Sequence, residues 1–144
     1  MKIFNYIYIL TMTLLCVSCS KEDDLNELFI GKKWLMTGAT INGNVMNSEV
    51  KNLYQSGTSA YFINFATSSF NGTLSEGTNI SGNWSADGEK KSMTLSITQT
   101  SGNISVFDKN LYTILKNIKK YEGDSNIMIL KQDDDNYIRF SANR

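Results

Sequence analysis

The chain has 144 residues, 14 of them Lys or Arg against 14 Asp or Glu, and contains neither histidine nor proline. With no histidine and both cysteines within the first nineteen residues, the body of the chain can build no Ser-His-Asp triad, Cys-His pair or histidine zinc site. Balanced charge also gives no basic face for nucleic acid, so no nucleic-acid partner is expected.

The first element is a leader. Lys2 supplies a positive start, and Ile3 to Leu15 form an apolar run of 13 residues broken by Asn5, Thr11 and Thr13. A membrane-crossing helix needs about 20 apolar residues, so the run reads as a signal peptide. Val17 and Ser18 are small enough for a narrow peptidase site, and Cys19 follows them. Cutting before Cys16 would instead put bulky Leu15 at the scissile bond. The stretch Leu15-Cys16-Val17-Ser18-Cys19 resembles the lipid-attachment site of bacterial lipoproteins, with Cys16 where such sites usually carry Leu. An ordinary secretory signal with incidental cysteines is the alternative. The resemblance implies a diacylglyceryl thioether and an amide-linked acyl chain on Cys19. Two chains are what stable anchoring requires.

Behind Cys19 lies Ser20-Lys21-Glu22-Asp23-Asp24. Lys21, Glu22, Asp23 and Asp24 resemble the surface-export signal of Bacteroidota lipoproteins, which implies an outer-membrane protein facing outward. A short solvated tether explains the same residues, since an acidic polar segment cannot bury enough to fold. The expected organisation is a signal peptide over 1–18, a lipidated acidic tether over 19–27 and one β-rich domain over 28–144.

Leu25 to Ile30 reads as a short helical lead-in, and Lys33 to Ile41 as the first strand. Asn42-Gly43 is a hairpin signal, because both residues tolerate positive φ, with Val45-Met46 starting the return. Val50, Leu53 and Tyr54 suggest helical turns between Ser48 and Gln55. Tyr61, Ile63 and Phe65 share one face of a strand at period two. Further strands are expected over 70–74 and 80–85, with a turn over 75–79 and a hairpin at Asp87-Gly88. Met93, Leu95 and Ile97 alternate with Thr94, Ser96 and Thr98 as a half-buried strand. Ser105-Val106-Phe107-Asp108 carries a helix-start signal, and Phe107, Leu111, Ile114, Leu115 and Ile118 follow on one face. That pattern predicts a helix over 106–120, with Lys116, Lys119 and Lys120 at its negative end and Gly123 as its stop. Ile127 to Lys131 and Tyr137 to Ser141 form a closing hairpin.

Several residues invite a functional reading beside a structural one. Asp133-Asp134-Asp135-Asn136 could gather oxygen ligands for calcium, but adjacent acids at a hairpin tip are usually solvated and the Gly and distal Glu of a calcium loop are missing. Lys109, Lys116 and Lys120 could meet an anionic partner, or form the wet face of the helix. Glu49, Glu76, Glu89 and Glu122 sit near turns, and nothing marks two of them as a glycosidase pair. Trp34, Trp84 and Tyr61 could line a ligand pocket or belong to the core. No catalytic residue, metal ligand or cofactor is expected.

From Gly31 to Phe140 the chain resembles the META (HslJ-like) domains of bacterial envelope proteins. The matching residues are Gly31 and Trp34, Phe70 with Gly72 and Gly82, Leu95 to Thr98, the helix to Ile118, then Tyr121, Gly123, Ile129, Leu130 and Phe140. The Gly-Cys-Asn element of that family is absent, with Gly82-Asn83-Trp84 near its place. Gly31-Lys32-Lys33-Trp34 is also similar to the Gly-x-Trp opening of lipocalins, with one extra residue. These resemblances imply a fold and no enzymatic activity.

The expected architecture is α+β and mainly β: a single small domain with a curved antiparallel sheet, a partial barrel, and one main helix packed on it. The expected function is a surface-anchored outer-membrane lipoprotein acting as a non-catalytic envelope or binding module. Its partners would be the membrane, through the lipid, and a protein or small apolar ligand. The alternative is a lipocalin-like carrier of a small apolar ligand.

Overall fold

The computed structural model describes residues 24–46, 50, 61–75 and 78–143. Within them two helices and nine strands run in the order α1 (Leu25–Phe29), β1 (Lys33–Ile41), β2 (Asn44–Val45), β3 (Phe62–Phe65), β4 (Ser69–Ser75), β5 (Thr78–Asp87), β6 (Ser92–Ser101), α2 (Val106–Lys116), β7 (Lys120–Gly123), β8 (Ile127–Lys131) and β9 (Tyr137–Asn143). Each strand from β3 to β9 pairs antiparallel with the next, and β1 pairs with both β3 and β9. The sheet therefore closes on itself, further than the partial barrel expected from sequence. Its ring contains β1 and β3 to β9, while β2 extends the far end of β1 through Thr40↔Val45 and Ile41↔Asn44.

Period-two patterning explains the ring. Ile63 and Phe65, Phe70 and Leu74, Met93 and Leu95, Met128 and Leu130, and Ile138 and Phe140 all point inward and are buried. An eight-stranded barrel is just wide enough for side chains to fill. An apolar void between Met36, Tyr61, Ile63, Leu115 and Phe140 is about 10 Å³.

The wall has one thin seam. β6 and β7 share a single register pair, Ser92↔Lys120, supported by Met93 N–H to Lys119 O (3.1 Å) and Tyr121 N–H to Lys91 O (3.1 Å). Helix α2 packs instead against β4, β6 and β9. Leu111, Ile114 and Leu115 are buried on its inner stripe, and Ile118, just past its end, is buried too. The helix is four residues shorter than the 106–120 predicted. Asn117 caps it, donating its N–H to Thr113 O and Ile114 O and its side-chain amide to Thr113 O at 2.8 Å. Lys120 to Gly123 is then a strand paired with β8, so Lys120 does not share a helix face with Lys109 and Lys116. Gly123 serves the β7–β8 turn at φ +125°, where a Cβ would lie 2.0 Å from Ile127 O.

At the other end α1 acts as a plug. Asp24 caps it, its carboxylate accepting from Asn26 N–H (3.1 Å) and Glu27 N–H (3.2 Å). Phe29 enters the barrel, with ring centroids 5.0 Å from Tyr121, 5.5 Å from Trp84 and 5.6 Å from Phe65. The two edge-to-face contacts, with Tyr121 and Trp84, add about 0.5–1.5 kcal/mol each beyond area burial.

Turn chemistry follows the sequence at Asn42-Gly43, both at positive φ (52° and 75°). At the β5–β6 turn the left-handed residue is Lys91 (φ 53°), while Asp87 holds the turn by accepting from Lys90 N–H at 3.0 Å. The helical turns expected between Ser48 and Gln55 lie outside the described residues, apart from buried Val50.

Candidate functional site

Trp34, Trp84 and Tyr61 are all core residues, each with its polar atom engaged. Trp34 is fully buried and its Nε1–H donates to Phe29 O at 3.0 Å. The Nε1–H of Trp84 donates to Ala66 O at 2.7 Å. The two indoles thus gather around Phe29 at the plugged end. Tyr61 sits apart, its hydroxyl donating to Asp108 Oδ1 at 2.8 Å in the first turn of α2. Burial, reinforced by the Asp108 carboxylate, pushes the Tyr61 phenol well above its usual pKa. Among these three, only Tyr61 touches the small interior void.

Charged residues cluster around β7 and β8. Lys131 Nζ lies 2.9 Å from Asp134 and 3.1 Å from Glu122, beside Lys119 and Lys120 in an open groove of about 370 Å³. Those two acids hold the Lys131 ammonium above its ordinary pKa, and Lys131 lowers that of Asp134. The acidic hairpin tip spends its oxygens locally. Asp133 Oδ1 accepts from Asp135 N–H (3.0 Å) and from the Asn136 amide (2.9 Å), and Asp135 O accepts from Gly43 N–H (2.9 Å). Among the described residues no three acid, His or Cys side chains converge at metal-binding distance. Cys19, Lys21, Glu22 and Asp23 lie outside the described residues.

The outer face of β3 to β6 is chemically distinct. From Phe62 to Ala86 the only ionisable residue is Glu76, and from Ser92 to Phe107 there is none. Strand register turns this run into a grid. One row across the four strands is Asn64, Asn71, Ser81 and Gln99; the next is Phe62, Thr73, Asn79 and Ser101. Ser69, Asn83 and Ser96 form a third row, and Ser85 and Thr94 a fourth.

A bulge completes the grid. Ser81 pairs with Gln99 while Gly82 pairs with Ile97, leaving Thr98 as the extra residue. This re-phases β6 so that Gln99 and Ser101 join Ser96 on the outer face. Gly82 is required there, since a Cβ would meet Ser96 O at 1.9 Å. Asn71, Asn79, Ser81, Gln99 and Ser101 border a shallow groove of about 300 Å³.

Within the grid, Asn64 donates to Asn71 Oδ1 (3.2 Å), Thr73 to Asn79 Oδ1 (3.3 Å), and Ser85 and Thr94 hydroxyls meet at 2.8 Å. Among the described residues the Asn83 and Gln99 amides have no protein partner. Each residue of this face is ordinary in a strand, so none singles it out in the sequence. The signal was the long gap in charge.

Residues 20–142 match the profile of a domain of unknown function, DUF4847. The chain belongs to the DUF4847 family. A crystal structure of a DUF4847 family protein from Bacteroides vulgatus ATCC 8482 is similar in fold, with a TM-score of 0.66 and 20% identity over 83% of this chain and 97% of that one. No curated protein matches the chain. At that identity the likeness speaks to fold alone.

Proposed function

We propose that the protein is a lipid-anchored, outer-membrane binding module, exposed at the cell surface, non-catalytic, and using the uncharged outer face of β3 to β6 as its docking surface. The observation that carries this reading is the contrast between a filled interior and a continuous grid of outward amides and hydroxyls. The leader and Cys19 supply the anchor, and the family match begins at residue 20, directly behind that cysteine. Lys21, Glu22, Asp23 and Asp24 direct the protein outward. In this reading the META-like and lipocalin-like features describe a barrel scaffold whose lumen has been given over to packing. A carrier of a small apolar ligand would need lumen volume, and a void of about 10 Å³ is the size of one water.

Because no cysteine follows Cys19, single-cysteine reporters are clean. The test places one at Ser81 in the grid and one at exposed Lys109 on α2, as S81C and K109C in the full chain. Both are treated with a membrane-impermeant maleimide on intact cells and after purification. The reading expects K109C to label on cells, and S81C to label far more slowly on cells than when purified. Failure of both to label on cells refutes surface exposure. Equal labelling of S81C in both settings refutes occupancy of the grid.

A further inference from the structure

Resting on that docking face, we infer that its ligand is a neutral oligosaccharide, held across the groove bordered by Asn71, Asn79, Ser81, Gln99 and Ser101. The argument begins with charge. Soluble protein surfaces are about 25–35% Lys, Arg, Glu and Asp. The four rows of the grid contain no ionisable side chain, and the nearest flank is Lys33, paired with Asn64. Apart from Lys33 at that edge, the face offers no counter-charge to phosphate, sulfate, uronate or ammonium groups.

Hydrogen-bond chemistry narrows the class further. Sugar hydroxyls donate and accept at once, and so do the amides of Asn and Gln and the hydroxyls of Ser and Thr. Asn71, Asn79 and Gln99 present such groups on adjacent strands, with Ser81 and Ser101 between them. Neighbouring strands stand about 4.8 Å apart, close to the repeat of a sugar unit, so a chain crossing the strands meets one hydrogen-bonding side chain per residue. Phe62 ends the second row half-buried, with Lys33 Nζ 4.0 Å from its ring centroid, and gives the face an apolar edge.

A protein partner fits less well. Protein docking faces centre on Tyr, Trp, Phe, Met and Arg, and of these the grid has only Phe62, at its edge beneath Lys33. An apolar ligand would leave the Asn83 and Gln99 amides stripped of water with no replacement.

The test is titration calorimetry of the purified full-length lipoprotein in detergent against hexasaccharides of neutral glucose, mannose and xylose chains. Oligogalacturonate and a chondroitin sulfate hexasaccharide serve as charged comparators. Saturable binding of at least one neutral chain is expected, weakened about tenfold or more by Gln99→Ala and by Ser81→Asp. Both side chains are on the outer face, and an unchanged melting temperature confirms that the variants are folded. The inference is overturned if no neutral chain binds, if charged chains bind equally well, or if the substitutions leave affinity unchanged. Failure of the sugars with S81C still protected on cells assigns the face to a protein partner. Failure of both removes the docking face itself.

Discussion

Tyr61 and Asp108 meet inside the barrel at 2.8 Å, a hydrogen bond that ties the start of β3 to the first turn of α2. Asp108 is fully buried, and among the described residues its Oδ2 has no partner. Tyr61→Phe would strip the other oxygen of its donor as well. A loss of about 1–3 kcal/mol is expected from urea unfolding, and Asp108→Asn, which keeps an acceptor and removes the charge, should cost less.

The same pair sets an alkaline limit. The folded-state pKa of Tyr61 is raised above that of the unfolded chain, so its contribution is full below about pH 10 and declines as pH rises past it. Melting temperature should therefore fall above pH 10 in the wild type and fall less steeply in Tyr61→Phe. Identical slopes would show that the phenol does not carry the effect.

Gly82→Ala tests the bulge that builds the outer grid. Its Cβ would sit 1.9 Å from Ser96 O, a backbone atom that cannot swing aside, and a cost of about 2 kcal/mol or more is expected. Gly31→Ala is the comparison. Gly31 has φ +77° with nothing within 4 Å of the added atom, so only backbone strain of about 1 kcal/mol applies. Chemical denaturation of the two variants should rank them in that order.

Phe29 closes the end plugged by α1 through three aromatic neighbours, so Phe29→Ala should cost about 3–5 kcal/mol. Leu115→Ala removes a fully buried side chain that borders the interior void and should cost about 2–5 kcal/mol. This second variant should also bind a small apolar probe that the wild type excludes. Xenon or benzene uptake measured by NMR would decide it.

Acid sensitivity is expected at the β7–β8 turn. Asp124 accepts from Asn126 N–H (2.7 Å) and Ile127 N–H (3.0 Å), and these bonds hold its pKa below the ordinary carboxylate value. A lowered folded-state pKa means the contribution is present above about pH 4 and lost as pH falls through that region. Asp124→Ala should flatten the melting-temperature profile between about pH 5 and pH 3.

Much of the barrel was legible because its inner face is written at period two. Ile63 and Phe65, or Met93 and Leu95, could point only one way. Strand β7 was not legible: Lys120-Tyr121-Glu122-Gly123 buries one side chain and follows a helix without a break in polarity. Its ladder with β8, from Lys120↔Lys131 to Gly123↔Met128, decides its state. The Trp34 and Trp84 indoles were legible as large buried groups. Their partners, carbonyls on Phe29 and Ala66, come from chain folding that no local pattern encodes. The outer grid depends on register, and one extra residue at Thr98 decides which side chains of β6 it contains.

A ring stitched shut between β6 and β7 by one register pair and two flanking backbone bonds has a natural place to come apart. Rupture there would bare the greasy lining of the lumen while β3 to β6 stayed zipped, with Tyr61 still holding α2 to them. The outer grid is thereby insulated from the place that opens first.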